Sequence, residues 1–254
     1  FIPTKQAKAN LEQVIYEYEA SPRELLIYFR QMCKGVARLH AQKICHRDLK
    51  PSNFFLFQRD EVKLGDFGAA KFMDGSFPDI RTEYSQPVGD LRYIAPELFC
   101  EIGISDEFSF LSDIFSLGSI LFEMFSKVLL TSYIYSNNIQ TIKNLSMLQV
   151  TISHASPRDK QNIYKELIDV IGSSISYPEI YSFNQDVPKS IREQLNLLYK
   201  SMTQFNFNKR LTDFETIYRR LEICILILKH EDKYQKRLAQ KKFLRFKNGK
   251  EKCL

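Results

Sequence analysis

The stretch His46-Arg47-Asp48-Leu49-Lys50-Pro51-Ser52-Asn53 places several reactive side chains in one short segment. Asp48 carries a carboxylate that can orient a hydroxyl group and accept its proton, and Lys50 can place a positive charge on a phosphoryl group in transit. Asn53 offers a hard oxygen ligand of the kind that Mg²⁺ prefers. The segment therefore predicts a loop with phosphoryl-transfer chemistry.

A second motif, Asp66-Phe67-Gly68, adds another oxygen ligand for magnesium. The glycine at its end lets the backbone turn sharply directly after the carboxylate of Asp66. We expect the side chains of Asp48, Asn53 and Asp66 to converge around one divalent cation in a shared cleft.

With Ala95-Pro96-Glu97 further along, these motifs resemble the catalytic loop, the Asp-Phe-Gly motif and the Ala-Pro-Glu motif of protein kinases. The resemblance implies that Asp48 and Lys50 are catalytic, and that Asn53 and Asp66 bind magnesium and ATP. A lysine at position 50, in place of alanine or arginine, resembles the serine/threonine branch of the family and not the tyrosine branch. The implied activity is transfer of the terminal phosphoryl group of Mg-ATP to serine or threonine hydroxyls of a protein substrate.

The same resemblance implies regulatory or structural roles around the catalytic loop. Arg47 occupies the position that binds a phosphate group on the activation segment, since a guanidinium can bind phosphate with two hydrogen bonds. His46 is expected to be a packing and hydrogen-bonding residue, and Phe67 and Gly68 belong to the structural set. The candidate phosphate acceptors, for each of which an exposed loop hydroxyl is the favoured alternative, are Ser76, Thr82, Tyr84 and Ser85.

Downstream positions extend the resemblance over residues 1–228. Asp113 is implied to hold the catalytic-loop backbone, and Glu97 is implied to form an ion pair with Arg210. Such a buried pair is expected to position two segments more than to stabilise the fold. Phe55 occupies the apolar position beneath the adenine ring in the family, although a core aromatic residue on a strand is an alternative.

The chain also departs from the family pattern. Only 45 residues precede His46, and the sequence contains no Gly-x-Gly-x-x-Gly and no Val-Ala-x-Lys. These elements hold the nucleotide phosphates in a complete kinase. We expect the chain to be the C-terminal lobe, entered near the hinge, and to need an N-terminal lobe from upstream sequence or from a separate chain. The alternative is a catalytically weak or inactive kinase-like module that recruits protein partners.

A second departure is Asp90, which stands where serine/threonine kinases usually carry threonine. A carboxylate at this position could pair with Lys50 but would repel Asp48. Asp90 therefore puts the substrate geometry and the catalytic rate in question.

Hydrophobic periodicity predicts a mainly α fold with a small β-ribbon. The resemblance implies that this fold is a protein-kinase-like C-terminal lobe. Ser21-Pro22-Arg23-Glu24 is a capping box followed by an amphipathic pattern. Residues 129–190 are heterogeneous, and helices and long loops are expected there without definite bounds. Helices are predicted over 22–40, 108–125 and 191–202 and after a capping box at 212–215, and two short strands are predicted within 53–64.

Composition limits the remaining possibilities. The five cysteines are scattered and none lies in a Cys-x-x-Cys pair, which argues against a zinc site or a disulfide framework. No signal peptide and no apolar run long enough to span a bilayer is visible, so we expect a soluble, cytoplasmic protein.

The net charge of +6 comes from one end of the chain. Residues 229–254 contain ten Lys or Arg and three Asp or Glu, a net of +7, which leaves −1 for residues 1–228. We expect 229–254 to form a basic tail that contacts an anionic surface or is simply solvated.

Overall fold

The computed structural model describes residues 6–73, 89–100 and 106–250 and is mostly helical, with two small antiparallel sheets. The fold class predicted from the sequence is confirmed. The described helices are α1 (Leu11–Tyr16), α2 (Pro22–Ala41), α3 (Pro96–Phe99), α4 (Asp106–Ser126), α5 (Leu130–Asn137), α6 (Ile139–Ser153), α7 (Pro157–Ser173), α8 (Lys189–Met202) and α9 (Phe214–Lys250). The described strands are β1 (Ala9–Asn10), β2 (Ile44–Cys45), β3 (Phe54–Leu56), β4 (Val62–Leu64) and β5 (Lys71–Phe72).

Helix α2 begins where the capping box predicts. The Ser21 hydroxyl accepts a hydrogen bond from the backbone N–H of Glu24, and the Glu24 carboxylate accepts one from the backbone N–H of Ser21. Pro22 occupies the first helical position, where its lack of an N–H costs nothing. One face of the helix is buried, at Leu25, Leu26, Tyr28, Phe29, Met32, Cys33 and Val36. The helix leads directly to the catalytic stretch.

Two strand pairs hold the ends of the site motifs together. Strands β3 and β4 form an antiparallel hairpin in which Phe54 is opposite Leu64, and β1 pairs with the outer edge of β3. Strands β2 and β5 form a second antiparallel pair, with Cys45 opposite Lys71. The catalytic stretch follows β2 and precedes β3, while the Asp-Phe-Gly motif lies between β4 and β5. The two motifs are therefore neighbours in space.

Helix α4 is the central buried helix of the described core. Its apolar side chains are almost completely shielded from solvent, at Ile114, Phe115, Leu117, Ile120, Leu121, Phe122, Met124 and Phe125. Gly118 lets α8 approach closely, since a Cβ atom there would lie 2.7 Å from the Met202 and Thr203 side chains. Within residues 110–126 of this helix the acidic residues are Asp113 and Glu123, and each is buried with hydrogen-bond partners.

The region without definite sequence bounds, 129–190, contains α5, α6, α7 and a short 3₁₀ turn at Ile180–Ser182. The start of α7 carries a local marker, because Ser156 is its N-cap and Pro157 its first residue. Helix α5 follows Leu129 without a side-chain cap. Helix α6 begins after Asn138, whose side-chain oxygen accepts a hydrogen bond from the backbone N–H of Thr141 at 3.2 Å.

Helix α8 covers the predicted 191–202 and starts slightly earlier, at Lys189. The capping box predicted at 212–215 is wrong in detail. The cap is Asp213, whose carboxylate accepts hydrogen bonds from the backbone N–H groups of Glu215 and Thr216. Helix α9 runs to Lys250, so the predicted boundary between 228 and 229 lies within one continuous helix. Side chains beyond Lys233 lie outside the described residues, and contact of the tail with an anionic surface stays a prediction.

None of the described helices is by itself long and apolar enough to cross a membrane. The bent pair of Phe110–Ser126 and Leu130–Asn137 meets the criterion only when its two parts are counted together, by length and composition alone.

Candidate active site

The catalytic loop is held from beneath by the buried carboxylate of Asp113. Its Oδ2 atom accepts a hydrogen bond from the backbone N–H of His46, and its Oδ1 atom accepts one from the backbone N–H of Arg47, each at 2.9 Å. The Oδ2 atom also lies 2.9 Å from Nε2 of His40. Arg47 has a positive φ of 63°, a conformation that costs energy outside glycine. The Asp113 bonds stabilise this conformation, which turns the following Asp48 into the site.

The carboxylate of Asp48 is bound at both oxygens. Its Oδ1 atom accepts the backbone N–H of Asp90 at 2.9 Å, and its Oδ2 atom accepts Nζ of Lys50 at 2.8 Å. The Asn53 amide donates to the Asp48 backbone oxygen at 2.9 Å and to Oδ2 at 3.3 Å. The structure therefore brings Asp48, Lys50 and Asn53 into direct contact.

Asp66 reaches the same place through the β3–β4 hairpin. The backbone N–H of Gly65 donates to the carbonyl of Asn53 at 2.9 Å. The residue directly before Asp66 is therefore in contact with Asn53. The hydrogen bond to Asp48 raises the pKa of Lys50 above its usual range, and the nearby charges of Asp48, Asp90 and Asp66 act in the same direction against burial. Asp66 therefore shares the electrostatic environment of Lys50.

The turn around Asp66 has the geometry that the Asp-Phe-Gly motif predicts. Asp66 itself adopts a positive φ of 57°, and the Gly68 N–H lies 3.4 Å from its Oδ1 atom. The ring of Phe67 is 49% exposed and lies 5.3 Å from the His46 ring, centroid to centroid. The Nε2 atom of His46 lies 3.1 Å from the Gly65 carbonyl. His46 thus packs and hydrogen-bonds between the two motifs.

Arg47 is buried, and its Nε atom donates to the backbone oxygen of Ala69 at 2.8 Å. This contact joins the catalytic loop to the segment after the Asp-Phe-Gly motif. The candidate phosphate acceptors lie outside the described residues, and the phosphate-binding role of Arg47 stays a prediction. Those acceptors are Ser76, Thr82, Tyr84 and Ser85.

Asp90 does not pair with Lys50, which corrects the expectation from sequence. Its carboxylate is bound instead by Arg92, with Nη2 at 2.7 Å from Oδ2 and Nε at 3.0 Å from Oδ1. Burial by itself raises the pKa of Asp90, but the hydrogen bonds from the Arg92 side chain and backbone hold it below its usual range. The backbone N–H of Asp90 therefore binds Asp48, while the Asp90 carboxylate binds Arg92.

Gly89 is a site residue that the sequence analysis missed. It adopts φ of 108°, and a Cβ atom there would lie 2.5 Å from the backbone oxygen of Arg47. The absence of a side chain lets the backbone at Gly89 approach the catalytic loop closely enough for the Asp90 N–H to bond Asp48. Its place directly before Asp90 was the available clue.

Glu97 and Arg210 form the ion pair that the resemblance implies. The two guanidinium nitrogens donate to the two carboxylate oxygens at 2.6 and 3.0 Å, and both side chains are almost completely buried. Arg210 also donates to the backbone oxygens of Leu111 and Gln204 and lies over the Phe115 ring. The pair connects the start of α3 to the segment just before α9.

Phe55 is half-buried on the face of β3 opposite the fully buried Phe54. A Cβ atom at Gly65 would lie 2.8 Å from its ring, so the ring covers the residue directly before Asp66. This placement suits an apolar surface beside the cation ligands, and contact with an adenine ring stays a prediction.

Glu123 is a further buried acidic group that the sequence analysis did not identify. The hydroxyl groups of Tyr16 and Tyr93 donate to its two oxygens at 2.6 and 2.7 Å. Burial raises the pKa of Glu123 above its usual range, and burial and the nearby carboxylate raise the pKa of both tyrosines. A single glutamate within the apolar run of α4 was the visible clue.

The protein kinase domain matches residues 4–221, most of the chain and all of the site described above. The chain belongs to the protein kinase family. The kinase match ends within α9, before the basic tail.

Several curated kinases are similar to parts of this kinase chain. Mitogen-activated protein kinase kinase 7 of Arabidopsis thaliana is 38% identical over 103 residues, which is 41% of this chain and 32% of that protein. The interferon-induced, double-stranded RNA-activated protein kinase of Rattus norvegicus is 32% identical over 169 residues, 61% of this chain and 31% of that protein. Serine/threonine-protein kinase Nek3 of Mus musculus is 37% identical over 100 residues, 39% and 18% respectively. The chain therefore matches less than a third of each relative's length.

Proposed function

We propose that this chain is the catalytic-lobe part of a serine/threonine kinase that transfers the terminal phosphoryl group of Mg-ATP to protein hydroxyls. The observation that carries the proposal is the Asp48 carboxylate, bound at one oxygen by the Asp90 N–H and at the other by Lys50. A carboxylate held in this way is oriented before substrate arrives, which lowers the entropic cost of reaction. The names of the serine/threonine relatives support the choice of acceptor.

In the proposed mechanism Asp48 orients the substrate hydroxyl and accepts its proton as the new oxygen–phosphorus bond forms. Lys50, held beside Asp48, neutralises the charge that develops on the transferred group. When bound, Mg-ATP supplies the phosphoryl group, and ADP is the product that leaves.

The donor set suits magnesium. Asn53 uses its NH₂ group toward Asp48, which leaves its carbonyl oxygen as the atom that a cation can contact. Asp66 is the second ligand that would hold magnesium. The described residues contain no cluster of three or more His, Cys, Asp or Glu suited to a metal. Magnesium commonly takes one or two carboxylates together with substrate phosphates, so the proposed ligands match a cation that binds with ATP.

Full activity is proposed to depend on a segment that grips the nucleotide phosphates, since the sequence has neither the glycine-rich loop nor the strand lysine of complete kinases. That segment would come from a longer protein or from a separate activating chain. The proposed location is the cytoplasm, and the four described cysteines are buried thiols, which supports a reducing setting.

The second candidate function is a binding module that recruits proteins through its helical base. The observation that favours it is a set of exposed apolar side chains on two adjacent helices, which is typical of interaction surfaces. These are Ile139, Met147 and Val150 on α6 and Leu167 and Val170 on α7.

The deciding experiment compares Asp48→Asn with Asp186→Asn, which makes the same chemical change at an exposed position. Phosphoryl transfer from radiolabelled ATP to a mixed protein acceptor such as casein is measured for the 254-residue chain, with and without an added kinase N-terminal lobe. We expect Asp48→Asn to lower turnover by roughly 10²–10⁴-fold and Asp186→Asn to leave it unchanged. Equal turnover of the Asp48→Asn variant and the parent would favour the binding module.

A further inference from the structure

The position of Asp90 raises a specific electrostatic problem. Its backbone N–H donates to Asp48, so its side chain starts next to a second carboxylate and within the influence of Lys50. An unbound carboxylate at this place would attract the Lys50 ammonium away from Asp48 and repel Asp48 itself. The proposed mechanism requires the Lys50 ammonium to stay hydrogen-bonded to the Asp48 carboxylate.

Arg92 forms a closed set of hydrogen bonds with that carboxylate. Its backbone N–H and its Nε atom donate to Oδ1 of Asp90 at 2.9 and 3.0 Å. Its Nη2 atom donates to Oδ2 at 2.7 Å, and Nε also lies 3.2 Å from that oxygen. The planar guanidinium suits this two-point contact in a way that a lysine ammonium does not.

Arg92 is itself held in place from several sides. Its backbone oxygen accepts the Thr131 hydroxyl at 2.5 Å, and its guanidinium lies over the Tyr93 ring at 5.6 Å. A more distant charge contact joins it to Glu12 at 3.9 Å. The Arg92 backbone is therefore held by Thr131 of α5, and its guanidinium contacts Glu12 of α1 and the neighbouring Tyr93 ring, although its side chain is 48% exposed.

We propose that Arg92 is a positioning residue for the phosphoryl-transfer site. By binding the Asp90 carboxylate, it keeps that carboxylate from competing with Asp48 for the Lys50 ammonium. This inference rests on the proposed function for its kinetic consequence, while the arrangement of charges can be measured without turnover. It explains how a carboxylate occupies a position beside the catalytic aspartate without displacing the lysine.

The experiment uses Arg92→Gln, Arg92→Lys and the double variant Asp90→Asn/Arg92→Gln. Arg219→Gln is the matched control at an exposed arginine. The pKa of the Asp90 carboxyl is measured by carbon NMR titration, and kcat and KM are measured in the phosphoryl-transfer assay. The groups that face Asp90 and can shift its titration are Arg92, Lys50 and Asp48.

We expect Arg92→Gln to raise the pKa of Asp90 and to lower kcat about tenfold with little change in KM for ATP, since the lysine is misplaced and not removed. Arg92→Lys should fall between parent and Arg92→Gln. The double variant should recover most of the kcat, because it no longer has a carboxylate at position 90 that competes for Lys50. Arg219→Gln should change neither quantity.

An unchanged Asp90 pKa in Arg92→Gln would overturn the proposal, and so would a double variant no more active than Arg92→Gln. If the parent shows no phosphoryl transfer under any condition, the proposed function fails and the titration alone decides. A shifted Asp90 pKa would then still establish the pairing of charges, and an unshifted pKa would reject it.

Discussion

At the residue scale, the site depends on backbone conformations that few residues adopt. Arg47, Asp66 and Gly89 all have positive φ angles, and they lie in the segments that meet at Asp48. Strained backbone of this kind persists only where surrounding contacts hold it. The Asp113 carboxylate supplies those contacts to the catalytic loop, and the absence of a side chain at Gly89 supplies the space.

Gly89→Ala should disrupt the site more than the fold. The new Cβ atom would meet the Arg47 backbone oxygen, and the backbone would be strained at φ of 108°. We expect a loss of about 1–3 kcal/mol in the free energy of unfolding and at least about 10²-fold in kcat, because Asp48 loses the Asp90 N–H. Chemical denaturation and the phosphoryl-transfer assay measure the two effects.

The control is Gly35→Ala within α2, where the nearest atom to a new Cβ lies 3.9 Å away. This change should be neutral or stabilise by up to about 1 kcal/mol, since alanine favours the helix. Equal effects of the two substitutions would show that the positive φ and the close contact at Gly89 have no importance.

Sequence alone predicted the chemistry of the site better than its contacts. Asp48, Lys50 and Asn53 lie within a short stretch, so their proximity follows from chain connectivity. The Asp90–Arg92 pair could not be predicted in the same way. Which way a loop carboxylate points depends on the backbone of that loop, and the sequence analysis considered Lys50 but not Arg92, which lies two residues after Asp90.

At the element scale, α2 was predictable because its start is encoded locally. The capping box of Ser21 and Glu24 and the proline between them specify a helix before any tertiary contact forms. Helix α5 has no side-chain cap at its start, whereas α6 is capped by Asn138 and α7 by Ser156. A cap alone therefore did not decide which helices could be placed, because α7 has one and was not placed, while α8 was placed without a side-chain cap.

Ser21→Ala should destabilise the chain by about 1 kcal/mol at neutral pH, since two hydrogen bonds at the start of α2 are lost. Hydrogen bonds from the Ser21 hydroxyl and backbone N–H lower the pKa of Glu24 below its ordinary 4.5. A lowered folded-state pKa contributes stability above the unfolded value, and this stability is lost as the pH falls through the folded value.

The difference in unfolding free energy between the parent and Ser21→Ala should therefore be constant near neutral pH and should shrink in acid below 4.5. Denaturant titrations at several pH values measure it. Glu24→Gln keeps the helix start but cannot titrate, so its own difference from Ser21→Ala/Glu24→Gln should not change with pH in that range. A pH-independent effect of Ser21→Ala in the parent would contradict the role of Glu24.

At the scale of the whole molecule, the buried Glu97–Arg210 pair and the central helix α4 link the site to the helical base. Asp113 of α4 holds the catalytic loop, while Glu97 at the start of α3 contacts Arg210 just before α9. The resemblance to kinases predicted the Glu97–Arg210 ion pair, although its two residues lie far apart in the sequence. Pattern reading without that resemblance could not have paired them, because no local rule relates positions 97 and 210.

The most direct test concerns the cation site that Asn53 and Asp66 are proposed to share beside Asp48. Mn²⁺, which replaces Mg²⁺ and broadens nearby NMR signals, is added with ATP to the chain and to the Asp66→Asn and Asp186→Asn variants. We expect the amide signals of residues 53 and 66–68 to broaden in the parent and in Asp186→Asn, and to remain sharp in Asp66→Asn. Broadening centred on another surface, or broadening around residue 53 that survives in Asp66→Asn, would contradict a shared cation site.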